Sequence, residues 1–156
     1  MACVVAKIAI NGFEVTDRRN RLRYVNRKGL AAAIEAVPGC LAAGYIDMET
    51  GMLLGTSAID QDNASSLKSS ALAATNLFQG SGIAAFEKLL RSDEADQTIS
   101  SVFGEVAVFS DDRVFIFLRM QELSDHVIFF ICQDRTNIEL MLAKSHLSLG
   151  LVAAAI

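Results

Sequence analysis

Proline occurs once in this chain of 156 residues, histidine twice and cysteine three times. Each scarcity excludes something. One proline beside an apolar fraction of 52% excludes a chain that stays disordered for want of a core. Cys3, Cys40 and Cys132 are odd in number, far apart in sequence and in no C-x-x-C pair. That argues against a disulfide framework or a zinc site and for buried thiols in a reducing compartment. Long apolar runs are missing too. Ala2 to Ile10 is apolar but contains Lys7, and the interrupted stretch from Leu147 to Ile156 is also too short to span a bilayer. The basic residues follow the first apolar run instead of preceding it, the reverse of a secretory leader. The expectation is a cytoplasmic protein of one domain, with no membrane insertion. At this length it buries about two-thirds of its unfolded surface without metal or disulfide.

Charge is unevenly placed. Residues 1–28 hold seven basic side chains against Glu14 and Asp17, and the rest of the chain is strongly acidic, for an overall net of −4. A basic segment over 1–26 ahead of an acidic domain over 27–156 suggests an interaction arm. Arg18 to Lys28 carries six basic residues with Tyr24 among them, a composition that can bind nucleic acid or anionic lipid. The acidic remainder would repel both, so no nucleic-acid partner is expected.

What is present is a run of well-punctuated elements. Leu30, Ala33, Ile34 and Val37 recur at helical spacing, and Pro38-Gly39 ends that helix over 27–37. Strands are predicted over 40–47 and 52–57, with the turn at Met48 to Gly51 and Gly51 suited to a positive φ. Asp60 or Asp62 can cap a long helix running to Gln79, with Leu67, Ala71, Ala74 and Phe78 on its apolar face. Most of its other positions are small, and small side chains let another backbone come close. Gly80-Ser81-Gly82 breaks this helix before a short helical piece over 83–91 and an acidic loop over 92–96. Strands follow over 98–109, 113–120 and 127–132, rich in Val, Ile and Phe. Thr136-Asn137-Ile138-Glu139 fits a capping box for a last helix to about Leu149. Hairpins dominate this order, so the fold class is α+β, an antiparallel sheet with helices on its faces.

Candidate chemistry is thin. Gly80-x-Gly82-x-x-Ala85 matches a dinucleotide fingerprint only superficially, because a helix precedes it where a strand is needed. Asp125 and His126 are the best acid–base pair, yet neighbours on a strand point to opposite faces, and no G-x-S-x-G elbow supplies a nucleophile. Asp93, Glu94 and Asp96 lack the glycine and spacing of a calcium loop. No phosphate-binding G-x-x-x-x-G-K-[ST] run occurs. Lys68, Lys88 and Arg91 are either ordinary surface charges or contacts to a partner.

The ordered set of Pro38-Gly39, Leu41 to Asp47, Gly51 with Leu54-Gly55, Asn76 to Gly80, Gly104-Glu105-Val106, Phe117-Leu118-Arg119 and Asn137 to Leu140 resembles the roadblock/dynein light chain family, including its bacterial members. The resemblance covers about residues 28–150. It implies a roadblock/profilin-like five-stranded sheet in the order α-β-β-α-β-β-β-α. It also implies a non-enzymatic homodimer or heterodimer, without cofactor, in which the central helix and middle strand pair across a two-fold axis. Such proteins regulate or scaffold small Ras-like GTPases or serve as adaptor subunits. The implied dimer surface maps to Leu67, Ala71, Ala74, Phe78, Phe103, Glu105 and Val106. Lys68, Lys88 and Arg91 are candidate partner contacts. The alternatives are a small-molecule sensor, since a sheet flanked by helices can hold a pocket, and an enzyme using Asp125, His126 or a cysteine thiolate.

Overall fold

The computed structural model describes residues 27–90, 103–133 and 137–154. Its elements match the expected four helices and five strands in kind, with the short helical piece after the Gly80 break counted among them; the third strand begins only at Glu105, so Phe103 and Gly104 of the expected strand are not part of it. They are α1 (Arg27–Ala36), β1 (Cys40–Asp47), β2 (Met52–Ala58), α2 (Gln61–Gln79), α3 (Ser81–Leu90), β3 (Glu105–Phe109), β4 (Val114–Arg119), β5 (His126–Cys132) and α4 (Ile138–Ala153). The strands form one antiparallel sheet in the order β2-β1-β5-β4-β3. The basic segment 1–26, Arg91, the acidic loop 92–96 and residues 98–102 of the expected third strand lie outside the described residues.

The central position of β5 follows from its composition. Six consecutive apolar residues, Val127 to Cys132, have no polar face to offer water, so both faces must be covered. Alternation divides them between two cores. Ile128, Phe130 and Cys132 join Tyr45, Ile116, Leu118 and residues of α1 and α4 on one side. Val127, Phe129 and Ile131 join Ala42, Ile46, Phe117 and α2 on the other. A one-residue slip of this strand would exchange the two sets, so its register is strongly specified.

Local chemistry sets the ends of the elements. Gly39 and Gly51 have φ of 67° and 70° at the turns that bracket β1, where a side chain would be strained. The Asp47 carboxylate accepts from the Glu49 N–H at 2.9 Å and from the Thr50 hydroxyl at 2.8 Å, closing the hairpin turn. The cap of α2 is Asp60, not Asp62: its carboxylate accepts from the Asn63 N–H at 2.8 Å, with extended backbone at Asp60 itself. The last helix departs from expectation at both ends. Thr136 lies outside the described residues, Asn137 makes no side-chain cap bond, and α4 continues to Ala153. Ser145 and Ser148, buried on its inner face, donate to the carbonyls of Met141 and Ser145, both at 2.7 Å. Their polar atoms are thereby satisfied within the helix.

Gly44 in β1 shows how closely the second core is packed. A Cβ placed there would lie 2.3 Å from Cε1 and 2.4 Å from Cζ of Phe129. The ring of the fully buried Phe129 occupies the space that a side chain would take. Gly44→Ala should therefore destabilise the fold by about 1–3 kcal/mol through overpacking. Urea unfolding checks this as a lowered midpoint at unchanged slope.

Candidate interaction surface

α2 lies over β2 and β1, at one end of its face of the sheet. Its apolar stripe points into the sheet: Leu67, Ala71, Ala74 and Phe78 are all buried in the chain's own second core. Burying side chains such as Leu67 and Phe78 contributes about 1.5–3 kcal/mol each to the fold. They hold α2 to its own sheet. The outward face of α2 is instead Ser65, Lys68, Ser69, Leu72, Ala73 and Asn76, all exposed. Leu72, at 64% exposure, is its one large apolar side chain.

That outward face has little relief and makes few demands. The hydroxyls of Ser65 and Ser66 donate to the Asp62 carbonyl at 2.7 and 3.3 Å. Ser70 donates to Ser66 at 2.9 Å, and Thr75 to Ala71 at 3.1 Å. These four hydroxyls, of which only Ser65 lies on the outward face, are satisfied within the helix.

Because α2 covers only one side of this face, a groove of about 760 Å³ runs between it and the far strands. Ser66, Ser70, Ala73 and Leu77 form one wall, and Val108, Phe115, Phe117 and Ile131 the other. One end is tied by a polar chain. Asp60 holds the Asn63 amide with both carboxylate oxygens at 2.8 Å, and the Asn63 carbonyl accepts from Arg113 Nη1 at 2.9 Å. The other end is an aromatic line. Phe78 meets Phe117 edge-on at 6.3 Å, and Phe117 lies 5.9 Å from Phe129.

β3 forms the outer margin of the groove and is an edge strand, paired only with β4 among the described residues. Val106 packs toward the α2 side, whereas Val108 and Phe109 are exposed. The remaining members of the expected dimer set are separated by the pleat. Glu105 bonds His146 of α4 at 2.9 Å, on the opposite face from Val106. Phe103 lies half-buried ahead of β3, and its carbonyl accepts from Arg119 Nε at 3.3 Å. Lys68 and Lys88 are exposed on different helices.

A second, polar cavity of about 500 Å³ opens where α2, α3 and the β4–β5 loop meet, lined by Met48, Glu49, Phe78, Glu87, Arg119 and Asp125 among others. Arg119 is already engaged there. Its guanidinium lies 5.1 Å from the Phe78 ring centroid and donates to the carbonyls of Phe103 and Ser124. Burial lowers its pKa from the ordinary guanidinium value, opposed by the charges of Asp125 and Glu87. Asp125 faces this cavity, while the His126 Nδ1 is hydrogen-bonded to the Tyr45 hydroxyl at 2.8 Å. Tyr45 is fully buried in the opposite core, so the two candidate acid–base residues are divided between faces. Among the described residues no cluster of three His, Cys, Asp or Glu side chains is placed to hold a metal, and no helix is long and apolar enough to cross a membrane.

Leu72, Val108 and Phe115 escaped the sequence reading. Leu72 could have been found as the one large apolar residue off the buried stripe of α2. Val108 and Phe115 could not, because their exposure depends on how little of the sheet α2 covers.

An α+β domain with this strand order, two helices on one face and a long small-residue helix on the other, is a roadblock fold. Solved structures agree. The chain superimposes on the gliding protein MglB from Thermus thermophilus with a TM-score of 0.64, at 13% identity over 94% of this chain and 97% of that one. A roadblock/LC7 domain from Streptomyces avermitilis gives 0.60 at 15% identity, covering 83% and 95%. MglC from Myxococcus xanthus gives 0.52 at 16% identity, covering 83% and 98%. No family model and no curated protein matches the sequence.

The polar tie at the groove's end has a measurable role. Asp60→Ala removes the cap and the anchor of Asn63 together, and should cost about 1–2 kcal/mol. The check is chemical denaturation of the variant beside Asp62→Ala, which lacks a cap bond to lose and should remain near the parent.

Proposed function

We propose that this chain is a non-enzymatic dimeric regulatory or adaptor protein acting on a small Ras-like GTPase. The single observation that carries the dimer is the edge strand β3 beside an apolar groove left by a helix of small residues. Among the described residues this edge pairs only with β4, and an open edge favours a partner or a cover. A second copy related by a two-fold axis would add its own β3 to this edge and bring its own α2 alongside the first. Leu72 and Val108 then enter the contact, where their apolar surface leaves water. A neighbouring fold has been solved as MglB in a tetrameric arrangement, which supports self-association as such.

The GTPase assignment rests on the resemblance in fold and element order. Lys68 and Lys88 remain candidate contacts to that partner, on surfaces other than the groove, and Arg91 joins them from outside the described residues. The division of Asp125 from His126 by the sheet, and the engagement of His126 with Tyr45, favour this reading over a hydrolase.

Light scattering of the purified chain should give two chains per particle, and a monomer at all concentrations would contradict the dimer. Leu72→Glu and Val108→Glu, both at exposed positions, should each change the stability of the isolated chain by no more than about 0.5 kcal/mol. Each should weaken self-association at least about tenfold, because a carboxylate would be buried without a partner. A pull-down with the Ras-like GTPases of the same organism, loaded with each nucleotide, tests the partner. No binding and no change in hydrolysis would remove that role while leaving the dimer standing.

A further inference from the structure

The fold joins two cysteines that the sequence holds far apart. Cys40 is the first residue of β1 and Cys132 the last of β5, and they are direct partners in the antiparallel ladder. The register shifts between Cys40 and Ala42, so the pair sits beside an irregularity of the ladder; residues opposite in a regular antiparallel ladder lie about 4.5 or 5.5 Å apart at Cα. Either spacing falls within the roughly 4.4–6.8 Å that a disulfide bridges. Direct partners share a face, and both thiols lie in the core against α1 and α4. The Cys40 thiol donates to the Ala42 carbonyl at 3.4 Å.

The position suits access as well as bonding. The pair stands at the end of the ladder, with one further backbone bond, Gln133 N–H to the Gly39 carbonyl at 2.9 Å, beyond it. Gly39 and Gln133 are both exposed. Cys132 is fully buried, whereas Cys40 retains 8% exposure. Local opening at such a margin costs less than unfolding the domain.

We propose that Cys40 and Cys132 form an oxidation site at which a hydroperoxide closes an intrachain disulfide. The Cys40 thiolate attacks one peroxide oxygen and the O–O bond breaks. Cys40 becomes a sulfenic acid, and the departing alkoxide takes up a proton to leave as an alcohol, or as water when the oxidant is hydrogen peroxide. The Cys132 thiolate then attacks the Cys40 sulfur. The S–O bond breaks, and hydroxide takes up a proton and leaves as water. Two thiols and one peroxide yield one disulfide, one alcohol and one water. The peroxide gains two electrons, one from each sulfur. The bond joins the start of β1 to the end of β5, between the two strands that lead from α1 and into α4.

The resting pair is protected. The neighbouring Cys132 thiol, with burial, raises the Cys40 pKa well above its usual value, so the reactive thiolate is scarce at neutral pH. The protonated thiol is the resting form below that raised pKa, and thiolate accumulates as pH climbs toward it. Oxidation should accelerate by about tenfold per pH unit across the range below it.

The test is treatment of the folded full-length chain with stoichiometric hydrogen peroxide in a Cys3→Ser background, followed by intact mass and peptide mapping. The expected product has lost about 2 Da and contains a peptide linking Cys40 to Cys132, reversed by dithiothreitol. Circular dichroism should be unchanged. Mapping that finds both thiols still free would overturn the proposal, as would sulfinic acid at Cys40 without a crosslink. A link that forms only after the fold is lost would overturn it as well. In Cys132→Ala the sulfenic acid at Cys40 should persist and be trapped by dimedone. A variant that fails to fold leaves the mapping of the otherwise unchanged pair to decide.

Discussion

Everything in this domain depends on one strand being buried from both sides. β5 has no polar face, and its six apolar residues from Val127 to Cys132 supply both cores in alternation. Burial of that strand requires a neighbour on each edge and a layer on each face. β1 and β4 provide the edges. α1 and α4 cover one face, and α2 begins to cover the other. The hairpins add β2 and β3 at the margins, where half-buried strands suffice.

The two faces are completed unequally. Two helices share the first face. The second has one long helix placed over β1 and β2, because the β2–α2 connection is short and Asp60 starts the helix at once. The β3–β4 side is left with Val108 and Phe115 beside a helix whose hydroxyls are turned back on their own carbonyls. A surface that is apolar, shallow and bounded by an edge strand suits a protein partner better than a small ligand or a reaction. The polar cavity at the other end is organised differently. There Arg119 is spent on Phe78 and on loop carbonyls, which makes it a brace between β4 and the end of α2.

Much of the architecture is legible in the chain. Pro38-Gly39, Gly51, Asp60 and the Gly80 break act through neighbours a few residues away, so their effects can be read without knowing the fold. Amphipathic spacing likewise identifies Leu67, Ala71, Ala74 and Phe78 as one face of α2. What that face touches is not legible: a stripe of apolar residues looks the same whether it meets its own sheet or another chain, and in this fold it meets its own sheet. The expected third strand starts earlier than the described residues reach, and the expected α4 stops short of the observed one. Apolar runs carry no period sharp enough to mark their own ends.

By itself, the sequence determined the kinds of elements, their order and their stops, because these arise from local backbone preferences and hydrogen bonds. It also determined that some strand must be buried on both faces, since six adjacent apolar side chains leave no alternative. Only the tertiary structure decided that β5 lies between β1 and β4, which sets Cys40 against Cys132. Only it decided how much of the sheet α2 leaves uncovered. Strand order and helix placement come from contacts between residues distant in the chain, whose sum selects one arrangement among several that the local signals allow.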